Sequence, residues 1–140
     1  MQLKKGDILV EKSGGSPYQP VGRVMFIDDL PFDKPVLFSN FLQKIVVNEK
    51  VASPIYIYAY LRTLYHKNYM EYIQNQTTGI KNLLTEEFLE IPIILVDRAE
   101  QERIGQKYFG DLQEVKKRIA QAYEFLQTSR KEVGELMFQI

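Results

Sequence analysis

From Arg98 to the C-terminal Ile140 the chain contains no proline, and its apolar positions return in alternating steps of three and four: Leu112, Val115, Ile119, Ala122, Leu126, Ser129, Val133 and Leu136. That spacing is the heptad seam of a coiled coil. One helix of about 40 residues, roughly 60 Å at 1.5 Å per residue, is predicted. Lys116, Lys117, Arg118, Glu124, Arg130, Lys131 and Glu132 lie off the seam. Asp97, with Glu100 three residues on, supplies a capping-box-like start. A helix this long has no room to fold back along a single small domain, so its seam requires a second helix, from a second chain or from a missing part of this one. The sequence thus divides into a globular part, residues 1–96, and a long helix built to pair with another, residues 97–140.

The globular part opens with β-type signals. Lys5-Gly6-Asp7 is a turn into the strand Ile8-Leu9-Val10, and Val21–Ile27 returns antiparallel to it. Val36–Phe38 and Lys44–Val47 read as further strands, and Ile91–Val96 as a strand with Pro92 at its start or on an edge. Between them Ser53 and Pro54 open a helix from about Ile55 to Gln74. That helix carries six tyrosines; Tyr58, Leu61, Tyr65, Tyr69 and Tyr72 share one face. The stripe reads as core, while Tyr56 and Tyr60 lie off it and are available to a partner. Thr85 is expected to cap a short helical turn with Glu86 and Glu87 near its positive end. The expected fold class is α+β: a small mixed or antiparallel sheet with a Tyr-rich helix, then the coiled-coil-forming helix.

Composition narrows the function. Eighteen Lys and Arg balance eighteen Asp and Glu. Residues 1–82 carry ten basic and seven acidic side chains, net +3; residues 83–140 carry eight and eleven, net −3. Any polyanion-binding face is therefore local. There is no cysteine, and the one histidine, His66, reads as helix-terminal or surface. No His/Cys cluster can hold zinc. Absence of cysteine and of a signal-like start fits a reducing cytoplasm, and no apolar run is long enough to span a membrane. No phosphate-binding, dinucleotide-binding or nucleophile-elbow motif occurs. Asp28-Asp29 reads as a turn, with magnesium binding as the minor alternative; an enzyme would need Asp28, Asp29 or Asp33 beside a lysine in a cleft. Glu114-Val115-Lys116, which has a nuclease-like spacing, reads as a solvated helix face.

Two polar segments carry the remaining chemistry. The first is Lys12-Ser13-Gly14-Gly15-Ser16, closed by Gly22-Arg23. It is either a hairpin loop or a phosphate contact in which amides, hydroxyls and the Arg23 fork donate. The second is Gln76–Leu83, QTTGIKNL, read as a loop between the Tyr helix and the next elements. Gln76 and Asn82 suit adenine, Thr77 and Thr78 a phosphate or thymine methyl, and Lys81 a phosphate, with Gly79 left-handed at the turn. Turn and contact surface are equally open readings.

The order of these motifs resembles a known family. GDILV and KSGGSP come first, then VGRV, LFSNFL, the Tyr-rich helix, QTTGIKNL, a segment beginning IPI and a helix opening AEQERI. The set is similar to the specificity subunit of type I restriction–modification systems: one target recognition domain and the conserved helix after it. The resemblance implies a subunit without catalytic residues or cofactor, reading one half of a bipartite double-stranded DNA site. Paired conserved helices would set the spacing of the halves. Modification subunits using S-adenosylmethionine would methylate adenine, and ATP and magnesium would belong to a motor-nuclease partner. The implied contact residues are Lys12, Ser13, Gly14, Gly15, Ser16 and Arg23, then Gln76, Thr77, Thr78, Gly79, Lys81 and Asn82. Where a full subunit has two recognition domains and two helices, this chain has one of each and is expected to lack the start of its domain. Its helix partner would be a homodimer mate or a second recognition half. A truncated relic acting mainly through its helix is the alternative.

Overall fold

The structure, a computed structural model, describes residues 2–30, 35–77 and 79–138. Its strands are β1 (Ile8–Glu11), β2 (Ser13–Gly14), β3 (Val24–Phe26), β4 (Leu42–Ile45), β5 (Gln74–Thr77) and β6 (Ile80–Leu83). Its helices are α1 (Pro54–His66), α2 (Thr85–Leu89) and α3 (Arg98–Phe138). The strands form two antiparallel three-stranded sheets, ordered β3–β1–β4 and β2–β6–β5. The fold is α+β, as the sequence predicts.

β1 is buried at every position because its sheet is covered on both faces. Ile8 lies opposite Phe26, whose ring meets Tyr58 of α1 at 5.6 Å between centroids. Leu9, on the other face, joins Leu3 and Ile27 in a cluster flanked by Leu30, Val36, Phe38 and Leu42. Alternation of side chains across the pleat thus feeds two apolar layers from one short strand.

Several local readings change in three dimensions. Val36–Phe38 is not a strand: its side chains cover the Leu9 cluster while Val36 O accepts Leu3 N at 3.2 Å. The Tyr helix stops at His66, not Gln74, because Asn68 turns left-handed at φ 59°, and a 3-10 turn, Tyr69–Ile73, follows. Asparagine tolerates that conformation at low cost. Pro54 does open α1, and Ser53 stands at its cap without a side-chain cap bond. The tyrosine stripe is core only at its start: Tyr58 and Leu61 are buried, Tyr72 is 82% exposed. Tyr56 is buried and donates to Ile94 O at 2.5 Å, and Tyr60 donates to Pro92 O at 3.2 Å, so neither hydroxyl is free for a partner. Those bonds also explain why Ile91–Val96 is not a strand. The carbonyls of Pro92, Ile94 and Val96 are taken by side chains, the last by Gln101 Nε2 at 2.8 Å. Leu84, not Thr85, caps α2.

Asp97 caps α3 as predicted, Oδ1 accepting Glu100 N at 3.0 Å. Glu100 does not return the bond; its carboxylate grips Arg103 at 2.6 Å. The helix runs 41 residues. Compact units comprise residues 1–106 and 107–140, so the first turns of α3, with buried Gln101 and Gly105, belong to the first. In the second unit Val115, Ile119, Leu126, Val133 and Leu136 are exposed. Glu114 pairs with Arg118 on the same helix at 2.9 Å. Among the described residues no helix is long and apolar enough to cross a membrane.

Candidate nucleic-acid interface

The two polar segments, far apart in sequence, meet in one sheet. Ser13 pairs with Asn82 and Gly14 with Lys81; Gln76 and Asn75 pair with Lys81 and Asn82 from the other side. QTTGIKNL is therefore not a loop but most of a hairpin, whose strands are drawn together because their amides and carbonyls pair with each other. Gly79, at φ 90°, turns the chain at the open tip, where a side chain would meet steric strain rather than a neighbour. Thr78 lies outside the described residues, as does Asp33.

Strand alternation sorts the candidates onto two faces. Leu83 is buried, Gln74 Oε1 accepts Val21 N at 3.0 Å, and Lys81 Nζ donates to Gln19 O at 3.1 Å. These residues, with Gln76, share the inner face. Ser13, Asn75, Thr77, Ile80 and Asn82 share the outer face. Asn75, Thr77 and Ile80 are exposed there, and the Ser13 hydroxyl donates to Asn82 Oδ1 at 2.7 Å. That bond orients the Asn82 amide through its oxygen and does not use its NH2 donors. Asn75 and Ile80 are missing from the sequence reading, which treats this stretch as a loop. No alternation of apolar and polar residues marks Asn75–Thr77, which is polar throughout, so nothing local flags Asn75.

The first segment is built around one carboxylate. Glu11 Oε2 and Oε1 accept from Arg23 Nε and Nη2 at 3.0 and 2.8 Å, and Oε1 also accepts Gly15 N at 3.4 Å. Gly14 leaves room for this carboxylate, since a Cβ there would stand 2.7 Å from Oε1. Arg23 thus spends its fork within the fold. Burial alone would raise the Glu11 carboxyl, but bonds and charge from Arg23 outweigh it and hold the group below the ordinary carboxylate range. Ser16 exchanges backbone bonds with Gln19. Lys12 stands elsewhere, lining a cavity of about 120 Å³ with Val10, Gln43, Leu83 and Phe88.

A linkage consequence follows. A depressed carboxyl contributes stability that is fully present above its unfolded value and is lost as pH falls through the folded value. The native chain is expected to lose stability on acidification below the ordinary carboxylate range, and Glu11→Gln is expected to flatten that dependence. Arg23→Ala should cost about 2 kcal/mol at neutral pH, an amount tempered by the exposure of Arg23. Urea unfolding at a series of pH values checks both; an unchanged acid limb in Glu11→Gln would discard the pair as its source.

Among the described residues no group of three or more His, Cys, Asp or Glu could hold a metal ion. Asp29 accepts the amide of Leu30 at 2.9 Å, as a turn residue does, and His66 ends α1, exposed, edge-on to Tyr65. What the sheet offers is a ribbon of amides and hydroxyls. The model of the type I restriction modification DNA specificity domain matches residues 1–122. The chain belongs to this family. Comparison with curated proteins gives no significant match, and neither does comparison with solved structures. Specificity domains are the non-catalytic, DNA-recognising parts of type I systems. In this specificity domain the matched region takes in both polar segments and the first half of α3.

Proposed function

We propose that this specificity domain reads one half of a bipartite DNA site within a type I restriction–modification complex, through the outer face of the β2–β6–β5 sheet. The observation that carries the reading is the convergence of the two polar segments into one exposed ribbon, with Ser13 orienting the Asn82 amide. A two-stranded ribbon fits the major groove, and paired amide groups suit the donor–acceptor edge of adenine. Gly14, Gly15 and Ser16 shape the neighbouring loop, Gln76 and Lys81 lie on the other face, and Thr77 and Gly79 stand at the tip. Methylation with S-adenosylmethionine, and restriction with ATP and magnesium, would reside in partner subunits in the cytoplasm; this chain would carry no cofactor of its own.

Replacing Asn75 or Asn82 with alanine is expected to weaken target binding about tenfold and relax specificity at the contacted base pair. Gln76→Ala, on the inner face, should leave specificity intact. Selection of bound sequences from a random duplex library by the chain with its modification subunits reads both effects. An unaltered selected motif in both Asn variants would remove the outer face from the recognition surface.

The seam Leu112, Val115, Ile119, Ala122, Leu126, Val133 and Leu136 is proposed to pair with a second helix, in a homodimer or against a second recognition half. Five of its apolar side chains are half-exposed or more, or nearly so, in the single chain. Leu126→Lys or Val133→Lys should abolish self-association in sedimentation, whereas Lys117→Glu should not. A wild-type chain that sediments as a monomer would leave the hetero-partner as the occupant. The globular part, residues 1–96 in the sequence division, would be the recognition domain and residues 97–140 the spacing helix. The rival reading, an interaction protein working mainly through this helix, is favoured by the same exposed seam. It would be recognised by association without any DNA mobility shift.

A further inference from the structure

The turn between β2 and β3 presents a side chain that recognition by the outer ribbon does not use. Tyr18 is 95% exposed. Its backbone, however, is tightly held. Ser16 N donates to Gln19 O at 3.1 Å and Gln19 N to Ser16 O at 3.2 Å, and Tyr18 N donates to Ser16 Oγ at 3.3 Å. Pro17 adds a fixed φ at the tip. The base of the turn is tied down by Lys81 Nζ on Gln19 O and by the Tyr65 hydroxyl on Pro20 O at 3.2 Å. A turn anchored this way loses little conformational freedom on contact, which favours binding by whatever it projects. What it projects is an aromatic ring in water.

The charges around the base select the partner. Arg23 and Lys81 stand there, and Arg62 lies with its guanidinium 5.9 Å from the Tyr65 ring centre. The carboxylate set against these cations among the described residues is Glu11, already paired with Arg23. Arg62 makes no ion pair among the described residues, and its buried Nε has no hydrogen-bond partner. An exposed aromatic over a cationic base suits a polyanion with apolar edges, such as nucleic acid, better than an acidic or neutral protein surface.

We propose that Tyr18 is an aromatic finger of the DNA interface: its ring lies against sugar and base edges while Arg62, the cation there without an ion pair among the described residues, meets a flanking phosphate. This rests on the DNA-recognition reading above. The test is binding of random-sequence duplex DNA by the full chain, alone and with modification subunits, across a salt series. Tyr18→Ala is expected to bind about tenfold more weakly with an unchanged salt slope, and Tyr18→Phe to bind as wild type. Arg62→Ala should instead flatten the slope of log affinity against log salt by about one. Thermal melting of Tyr18→Ala should match wild type, since the ring is solvent-exposed. Normal DNA affinity in Tyr18→Ala would overturn the finger and leave the recognition reading standing. So would a loss confined to association with modification subunits, which would assign the ring to a protein contact. Equal loss in Tyr18→Phe would overturn contact by the ring in favour of its hydroxyl. Absence of wild-type binding in every condition would overturn both readings together.

Discussion

Gly105→Ala is expected to destabilise the globular unit by about 2 kcal/mol. A Cβ at Gly105 would stand 2.6 Å from Ile55 Cγ2 and 2.9 Å from both the Ile55 carbonyl carbon and the Tyr56 nitrogen. Two of these three atoms are backbone at the start of α1, and Ile55 is itself buried, so relief requires moving one helix off the other. Forcing an extra carbon into such a site costs about 1–3 kcal/mol, with the upper end apt where backbone is struck. The intrinsic gain of alanine over glycine in a helix, about 1 kcal/mol, offsets part of it. The other glycines of α3 supply the control. Gly110 and Gly134 have nothing within 4 Å of the added Cβ, so alanine there should stabilise the helix. Thermal melts followed by circular dichroism should therefore move in opposite directions. A gain at Gly105 equal to that at Gly110 would mean that α1 and the start of α3 do not approach this closely.

Gln101→Leu should cost about 3 kcal/mol. Gln101 is buried, its Oε1 accepting Ser53 N at 2.8 Å and its Nε2 donating to Val96 O at 2.8 Å. One amide thus ties the first turn of α3 to the start of α1 and to the segment before the helix. Leucine fills similar space but leaves a donor and an acceptor without partners, each costing about 1–3 kcal/mol if it remains dry. Ser53 is 1% exposed, and its own hydroxyl already lacks a partner, so little relief is at hand. Gln106→Leu, at an exposed position, should be near neutral. Urea unfolding gives the difference, and amide exchange at Ser53 should quicken selectively in Gln101→Leu. Equal stability of the two variants would show that water replaces the Gln101 amide.

Which parts of the fold were legible depends on how far each signal reaches along the chain. The Asp97 cap and the run of α3 are local, because every helical bond links residues four apart. The same holds for Pro54 at the start of α1 and for the turn at Gly79. Ile91–Val96 misled because β-propensity reports a fit to a half-buried surface, not a partner strand. Its backbone found side chains of α1 and α3 instead. The Tyr helix was overextended for a related reason: the three-four spacing continues through Tyr69 and Tyr72, yet one left-handed residue, Asn68, ends the helix beneath it.

The candidate interface divides in the same way. Sequence chemistry picked out Ser13, Thr77, Lys81 and Asn82 as residues able to touch a base or a phosphate, since those capacities belong to the side chains themselves. It left Arg23 either in a hairpin loop or as a donor to phosphate, because partnership with Glu11 is a property of two strands side by side. By itself the sequence determined the long helix, its seam and an α+β body, all written in short-range periodicity. Only the tertiary structure decided that Ser13 and Asn82, 69 residues apart, share a hydrogen bond, and that Asn75 stands beside them while Gln76, itself exposed, lies on the opposite face. Register between distant strands is set by the packing of both sheet faces at once, and no stretch of the chain carries that information alone.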